Sequence, residues 1–140
     1  MPDFKGVNTT LAGTKAALIQ HGLWDAKVKV HVDSYTTTGE AIADRIFMGR
    51  LEPLSTYLGA EIDFEALGIS TTLSFGDAGS ATRFMAAVAT NAAGTARARA
   101  IAGMHYRNTT QDPIPLFLTV GGAQLTANRL IKVTLFTARA

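Results

Sequence analysis

The stretch Ile62–Asp77, IDFEALGISTTLSFGD, decides how this chain is read. It holds two short apolar, β-prone runs joined at Leu67–Gly68. Gly76-Asp77-Ala78-Gly79 then spells a turn. The first run belongs to Thr56–Glu65, where Leu58, Ala60, Ile62 and Phe64 share one strand parity. Tyr57, Glu61, Asp63 and Glu65 share the other, so the first set is expected in a core. The second run is Ser70–Phe75, in which Thr71, Leu73 and Phe75 alternate with Ser70, Thr72 and Ser74. The short connection between the two runs predicts an antiparallel hairpin.

Working outward, the same punctuation recurs. In Lys27–Tyr35, Val28, Val30 and Val32 alternate with Lys29, His31 and Asp33, which predicts a strand with one buried and one wet face. His31 falls on the charged parity and is expected in solvent. Glu40–Met48 reads as a strand with Ile42, Ile46 and Phe47 as its apolar mass. Pro53 marks Arg50–Leu54 as a linker or an edge, because proline cannot donate to a ladder. Alanines leave Arg83–Val88 open between a strand and a short helical passage. Thr95–Ile101, Ile114–Val120 and Arg129–Phe136 complete the set. About eight short strands at this spacing predict an all-β, two-layer antiparallel sandwich, a jelly roll or another Greek key, with a short barrel as the alternative. Phe64, Phe75, Phe117 and Phe136 are the expected core anchors, each stabilising by about 1.5–3 kcal/mol through burial.

Size and composition bound the rest. The chain has 140 residues, which suits one domain. It has no cysteine, which excludes disulfides, thiolate metal sites and a cysteine nucleophile. No apolar run approaches the ~20 residues of a membrane helix, and MPDFKGVNTT lacks the basic and apolar regions of a signal peptide. The expectation is a soluble protein with no membrane partner. Residues 1–77 carry ten acidic and six basic side chains, and residues 78–140 carry one acidic and seven basic. Such asymmetry is met by pairing across strands or by a contact between subunits. Charged residues are 17% of the chain, low for the surface of a small monomer, which points to assembly.

Residues 1–26 differ in character from 27–140, the expected sandwich domain. Met1–Ala26 contains LAGTKAALIQHGLW without a clean apolar stripe. A short helix capped by Asn8, Thr9 or Thr10 is one reading. An extended arm that gains order against a partner is favoured.

Chemistry is sparse. His21, His31 and His105 have no metal-site spacing. Glu61, Asp63 and Glu65 form a carboxylate row on one strand face, but no calcium-loop pattern accompanies them. Gly76–Ser80 and Gly121-Gly122 lack the lysine and frame of a phosphate loop and read as turns. No catalytic residue, metal ligand or cofactor is assigned. The candidate interface set is Trp24, Glu61, Asp63, Glu65, Arg83, Arg97, Arg99, Arg107 and Arg129. The arginines are too dispersed for a nucleic-acid site.

The segments YTTTGE at Tyr35–Glu40, IDFEALG at Ile62–Gly68, STTLSFGD at Ser70–Asp77 and TVGGAQLTANRLIKVTLF at Thr119–Phe136 resemble small proteins of tailed-phage head gene clusters. The resemblance covers most of the chain after Lys27. It implies a head decoration, cement or head-stabilisation protein: a noncatalytic β-sandwich made in the host cytoplasm and placed on the capsid exterior. The implied partner is the major capsid protein, with the chain forming a homo-dimer or homo-trimer. Two other roles stay open: a head–tail connector component, and a carbohydrate- or receptor-binding head-fibre module using Trp24, Tyr35, Tyr57 and Tyr106.

Overall fold

A computed structural model describes residues 27–139. The arm expected over Met1–Ala26, with Trp24, lies outside the described residues. The strands are β1 (Lys27–Thr36), β2 (Arg45–Leu51), β3 (Ser55–Phe64), β4 (Thr72–Asp77), β5 (Ser80–Ala89), β6 (Gly94–Ala98), β7 (Ile114–Gly121) and β8 (Leu130–Arg139). They form two antiparallel four-stranded sheets, in the orders β1-β8-β3-β6 and β2-β7-β4-β5.

The pairings explain the architecture. Strand β1 pairs with β8, β2 with β7, β3 with β6 and β4 with β5, all antiparallel. This is one long ribbon folded at the β4–β5 turn and wound so that β8 also meets β3 and β7 also meets β4. Winding such a ribbon is what makes a jelly roll, so the expected sandwich is present and its topology is fixed. The turn over Gly76–Gly79 closes the β4–β5 hairpin, with Asp77 accepting the N–H groups of Gly79 and Ser80 at 3.0 Å each.

The core lies between the sheets. Ile62, Ile131, Val133 and Leu135 come from the first sheet and meet Leu73, Phe75, Leu116 and Leu118 of the second. Its centre is aromatic: the Phe84 ring lies 4.1 Å from that of Tyr57 and 5.8 Å from that of Phe75, centroid to centroid. Strand pairing settles Arg83–Val88, which belongs to β5 along its whole length.

Several sequence expectations change. Both runs yield strands, β3 over Ser55–Phe64 and β4 over Thr72–Asp77, but not a hairpin: β3 and β4 lie in different sheets. Both edges of β3 are taken by β8 and β6, so no edge is left for β4. The connection crosses between sheets instead. Gly68 takes φ +126° there, and Leu67 donates its N–H to the Thr90 carbonyl at 2.9 Å and accepts from the Thr126 N–H at 2.8 Å. The local sequence asked for a reversal; long-range partners satisfied its polar groups and turned it into a crossover.

The parity of β3 also breaks. Between Tyr57 and Gly59 the register slips, two residues standing against one on β8, and Gly59 adopts φ +126°. This bulge turns Tyr57 into the core and Leu58 outward, opposite to the uninterrupted alternation. Strand β1 is inverted as well. Lys29, His31, Asp33 and Tyr35 stand opposite the inward residues Thr137, Leu135, Val133 and Ile131. His31 is therefore half-buried, and the three valines face out. An edge strand overhangs the core rim, where polar inward side chains still reach water, so the ladder register overrode the local pattern.

Phe75 is a core anchor as expected, and Phe64 packs against the core half-buried. Phe117 is buried on the outer face of the second sheet, beside Phe47 at 5.3 Å. Phe136 is half-buried on the outer face of the first. Strand β2 begins at Arg45, later than expected, because residues 40–44 form a turn in which Asp44 accepts the Ala41 N–H at 2.8 Å.

Candidate interaction surface

The outer face of the β1–β8–β3–β6 sheet gathers what the sequence scattered. Across the ladder, Glu61 stands opposite Arg97 on β6, and Asp63 stands opposite Thr95 on β6 and Lys132 on β8. The Arg97 guanidinium lies 3.7 Å from the Glu61 carboxylate, and the Thr95 hydroxyl donates to Asp63. Both members of the Glu61–Arg97 pair are solvent-exposed, so the pair contributes about 0–1 kcal/mol to stability. A cavity of about 370 Å³ opens beside it, lined by Val28, Leu58, Glu61, Arg97, Arg99 and Phe136. Beyond it, Val32, Asp63, Lys132 and Thr134 border a second hollow of about 400 Å³. The face thus carries a charged band on β3 and β6, separated by β8 from an apolar stripe on β1.

The fold brings together Glu61, Asp63, Arg97 and Arg99 of the sequence-derived set. Of the rest, Trp24 lies outside the described residues, and Glu65, Arg83, Arg107 and Arg129 go elsewhere. Glu65 turns to the start of β8, where its carboxylate accepts the Leu130 N–H at 2.9 Å. Arg129 is the preceding residue, tied to Thr37 through its own N–H at 2.9 Å and carbonyl at 2.8 Å. Arg83 pairs with Asp77 at 2.9 Å and lies over the Tyr106 ring at 4.3 Å. That pair has only 24% and 4% of its side-chain surfaces exposed, so it belongs to the frame of the β4–β5 hairpin. Arg107 is half-buried at an isolated bridge to Thr56. The charge asymmetry of the sequence is met partly by these pairs, since Glu61–Arg97 and Asp77–Arg83 each join the acidic half to the basic half.

Two features escaped the sequence reading. One is the apolar stripe, because alternation shows that one parity is apolar without showing which way it faces. The other is a cation–aromatic cluster on the opposite sheet. There the Arg45 guanidinium lies 5.4 Å from the exposed Phe47 ring and 5.1 Å from Phe117. Its signal was the mismatch of Phe47 with the buried neighbours Ile46 and Met48.

The tyrosines do not form an exposed platform. Tyr57 is buried and donates its hydroxyl to the Ala98 carbonyl at 2.6 Å. Burial pushes its phenol well above the usual range, with Arg99 opposing weakly. The Tyr35 hydroxyl donates to Glu40, a bond that raises the Tyr35 phenol. Partial burial alone would raise Glu40, but the hydrogen bonds from Tyr35 and Thr38 outweigh it and hold that carboxyl low. Tyr106 lies under Arg83. Among the described residues no three histidine, aspartate or glutamate side chains converge to hold a metal ion.

No family model matches the chain, and no curated protein matches it. Two solved structures do. A chain of the cyanophage Pam1 capsid asymmetric unit superposes with a TM-score of 0.73 at 25% identity, covering 100% of both chains. A chain of the Ralstonia phage GP4 capsid superposes with a TM-score of 0.72 at 20% identity, covering 81% of this chain and 85% of the other; that likeness shows a shared fold. The Pam1 match runs from end to end and supports a structural role in a virion for this chain.

Proposed function

We propose that this chain is a noncatalytic virion protein that binds the major capsid protein on the head exterior and stabilises the shell. The observation that carries the reading is the end-to-end likeness to a chain of a phage capsid asymmetric unit. The fold suits the task. A jelly roll held by long-range ladders gives a rigid body, and its outer faces carry the groups that a protein partner would meet. Glu61, Asp63, Arg97 and Arg99 form a band of both signs that sets orientation and excludes wrong partners more than it adds affinity. The exposed Phe47 beside Arg45 is the kind of aromatic–arginine anchor that dominates interface energetics.

Stabilisation follows from linkage: a protein that binds the assembled shell and not its separated subunits shifts the equilibrium toward the shell. A homo-dimer or homo-trimer would repeat a weak contact and raise avidity where the spacing of sites permits. The test is co-sedimentation of purified protein with undecorated heads of the same virus. Saturable binding that raises the temperature of shell rupture is expected. Absence of binding, with both partners folded, refutes the proposal.

A further inference from the structure

Strand β1 is an open sheet edge. The first sheet ends on it, and among the described residues β8 is the strand that pairs with it. Proteins blunt such edges with short strands or bulges. The other three edges follow that rule: β6 has 5 residues, and β2 and β5 slip in register against their partners. Strand β1 does not, for its 10 residues stay in unbroken register with β8 and nearly all of them are exposed. Val28, Val30 and Val32, at 60%, 57% and 77% exposure, make its outer side apolar. A long, regular, apolar edge is a template for one more strand.

Backbone and charge together select the strand that fits. In an antiparallel ladder, alternate residues turn their N–H and C=O groups to the neighbour and the rest turn theirs away. Just past β1, Thr37 donates its N–H to the Arg129 carbonyl at 2.8 Å, in step with the β1–β8 register. The odd-numbered residues therefore bond to β8, and Val28, Val30, Val32 and Ser34 turn their groups to the open edge. The Ser34 N–H accordingly finds a side chain instead of a strand, the Asp33 carboxylate at 2.8 Å. Lys29 and Asp33 stand on either side of His31, and among the described residues neither has an ion-pair partner. Charges on an edge ordinarily block pairing. Here their order blocks one pairing and favours another. A parallel copy in register would set lysine on lysine and aspartate on aspartate. An antiparallel copy centred on His31 sets Lys29 opposite Asp33, twice over by symmetry.

We propose that two copies of this chain pair through β1, antiparallel about a two-fold axis at His31, and so join their first sheets into one. In that register Val30 exchanges N–H and C=O bonds with Val32 of the second copy. The Ser34 N–H passes from Asp33 to the Val28 carbonyl of the second copy. Asp33 is thereby released to Lys29 of the second copy, at a non-hydrogen-bonded pair, the closer kind at about 4.5 Å between Cα atoms. The two valine rows meet as one apolar strip, each covering the other's flank. The same patch serves on both copies, so the assembly closes at two. This inference does not rest on the capsid reading.

The test uses the purified full-length chain with no capsid present. Sedimentation equilibrium should show a monomer–dimer equilibrium. Lys29→Asp and Asp33→Lys each set like charges opposite one another and should raise the dissociation constant about tenfold or more, with the β circular dichroism kept. Combining the two reverses the order of the charges and should restore the dimer. Hydrogen exchange on the unaltered chain gives a second readout that requires no variant to fold. The Val30 and Val32 amides should slow as the dimer fills, while those of Lys29 and His31, bonded to β8, are slow already in the monomer. A chain that stays monomeric up to about a millimolar overturns the proposal, since weaker pairing would not hold two copies together. So does a mass of three copies, or a dimer indifferent to both single substitutions. Loss in the single variants without recovery in the folded double variant overturns it too.

Discussion

Replacing Phe84 by alanine tests the placement of the core centre. Its ring is wholly buried and lies 4.1 Å from Tyr57, 5.8 Å from Phe75 and 6.0 Å from Tyr106. It therefore links β5 to both sheets and to the loop after β6. Truncating a buried phenylalanine costs about 3–5 kcal/mol, from lost transfer energy and the cavity left behind. The upper half applies here, because the neighbours are themselves large rings held by the ladders and a hydrogen bond, and collapse poorly. A domain of this size has a total stability of roughly 5–15 kcal/mol and loses about 3–4 °C of Tm per kcal/mol, so a fall of roughly 10–20 °C is expected. Phe47→Ala is the control, since that ring is 53% exposed and its removal should cost about 1 kcal/mol or less. Urea unfolding at equilibrium measures both, with an unchanged slope as the check on two-state behaviour. A Phe84→Ala cost below about 1.5 kcal/mol, or one matched by Phe47→Ala, would show that the core is not centred on this ring.

Three further outcomes follow from the geometry. Asp77→Ala should destabilise by about 2–4 kcal/mol in urea titrations, because it strands Arg83 and frees two turn N–H groups; the effect should shrink when Arg83→Met is already present. Tyr57→Phe should cost about 1–2 kcal/mol near neutrality by orphaning the Ala98 carbonyl. The phenol is raised from 10.0 on folding, so the Tyr57 contribution is whole below pH 10.0 and is lost as pH climbs toward the folded value; the variant should therefore show a shallower decline in an alkaline unfolding series. Glu61→Gln should change stability by less than about 1 kcal/mol in the same assay, as its partner Arg97 is exposed.

The strands were legible because their signals are local. The alternations Ile131-Val133-Leu135 and Thr71-Leu73-Phe75, and the Gly76–Gly79 turn, each needed only a few adjacent residues. The bulge at Tyr57–Gly59 was not legible, because glycine in a strand is compatible with both regular pairing and a slip. The pairing of β8 with β3 decided between them. Glu61, Asp63, Arg97 and Arg99 could be named from sequence as interface candidates. Their convergence on one face could not, since it depends on a β3–β6 ladder that spans more than thirty residues of chain.

By itself, then, the sequence determined that this protein is a set of short β-strands without cysteine chemistry, to be closed into a sandwich or a short barrel. Those properties follow from period-two patterning, turn residues and composition, which act over a few residues. Only the tertiary structure decided that the stretch Ile62–Asp77 crosses between sheets, that Tyr57 enters the core, and that the valines of β1 face out. A strand pattern separates two faces but carries no sign. The sign comes from register against partners far along the chain, and from how many inward places the two packed sheets provide.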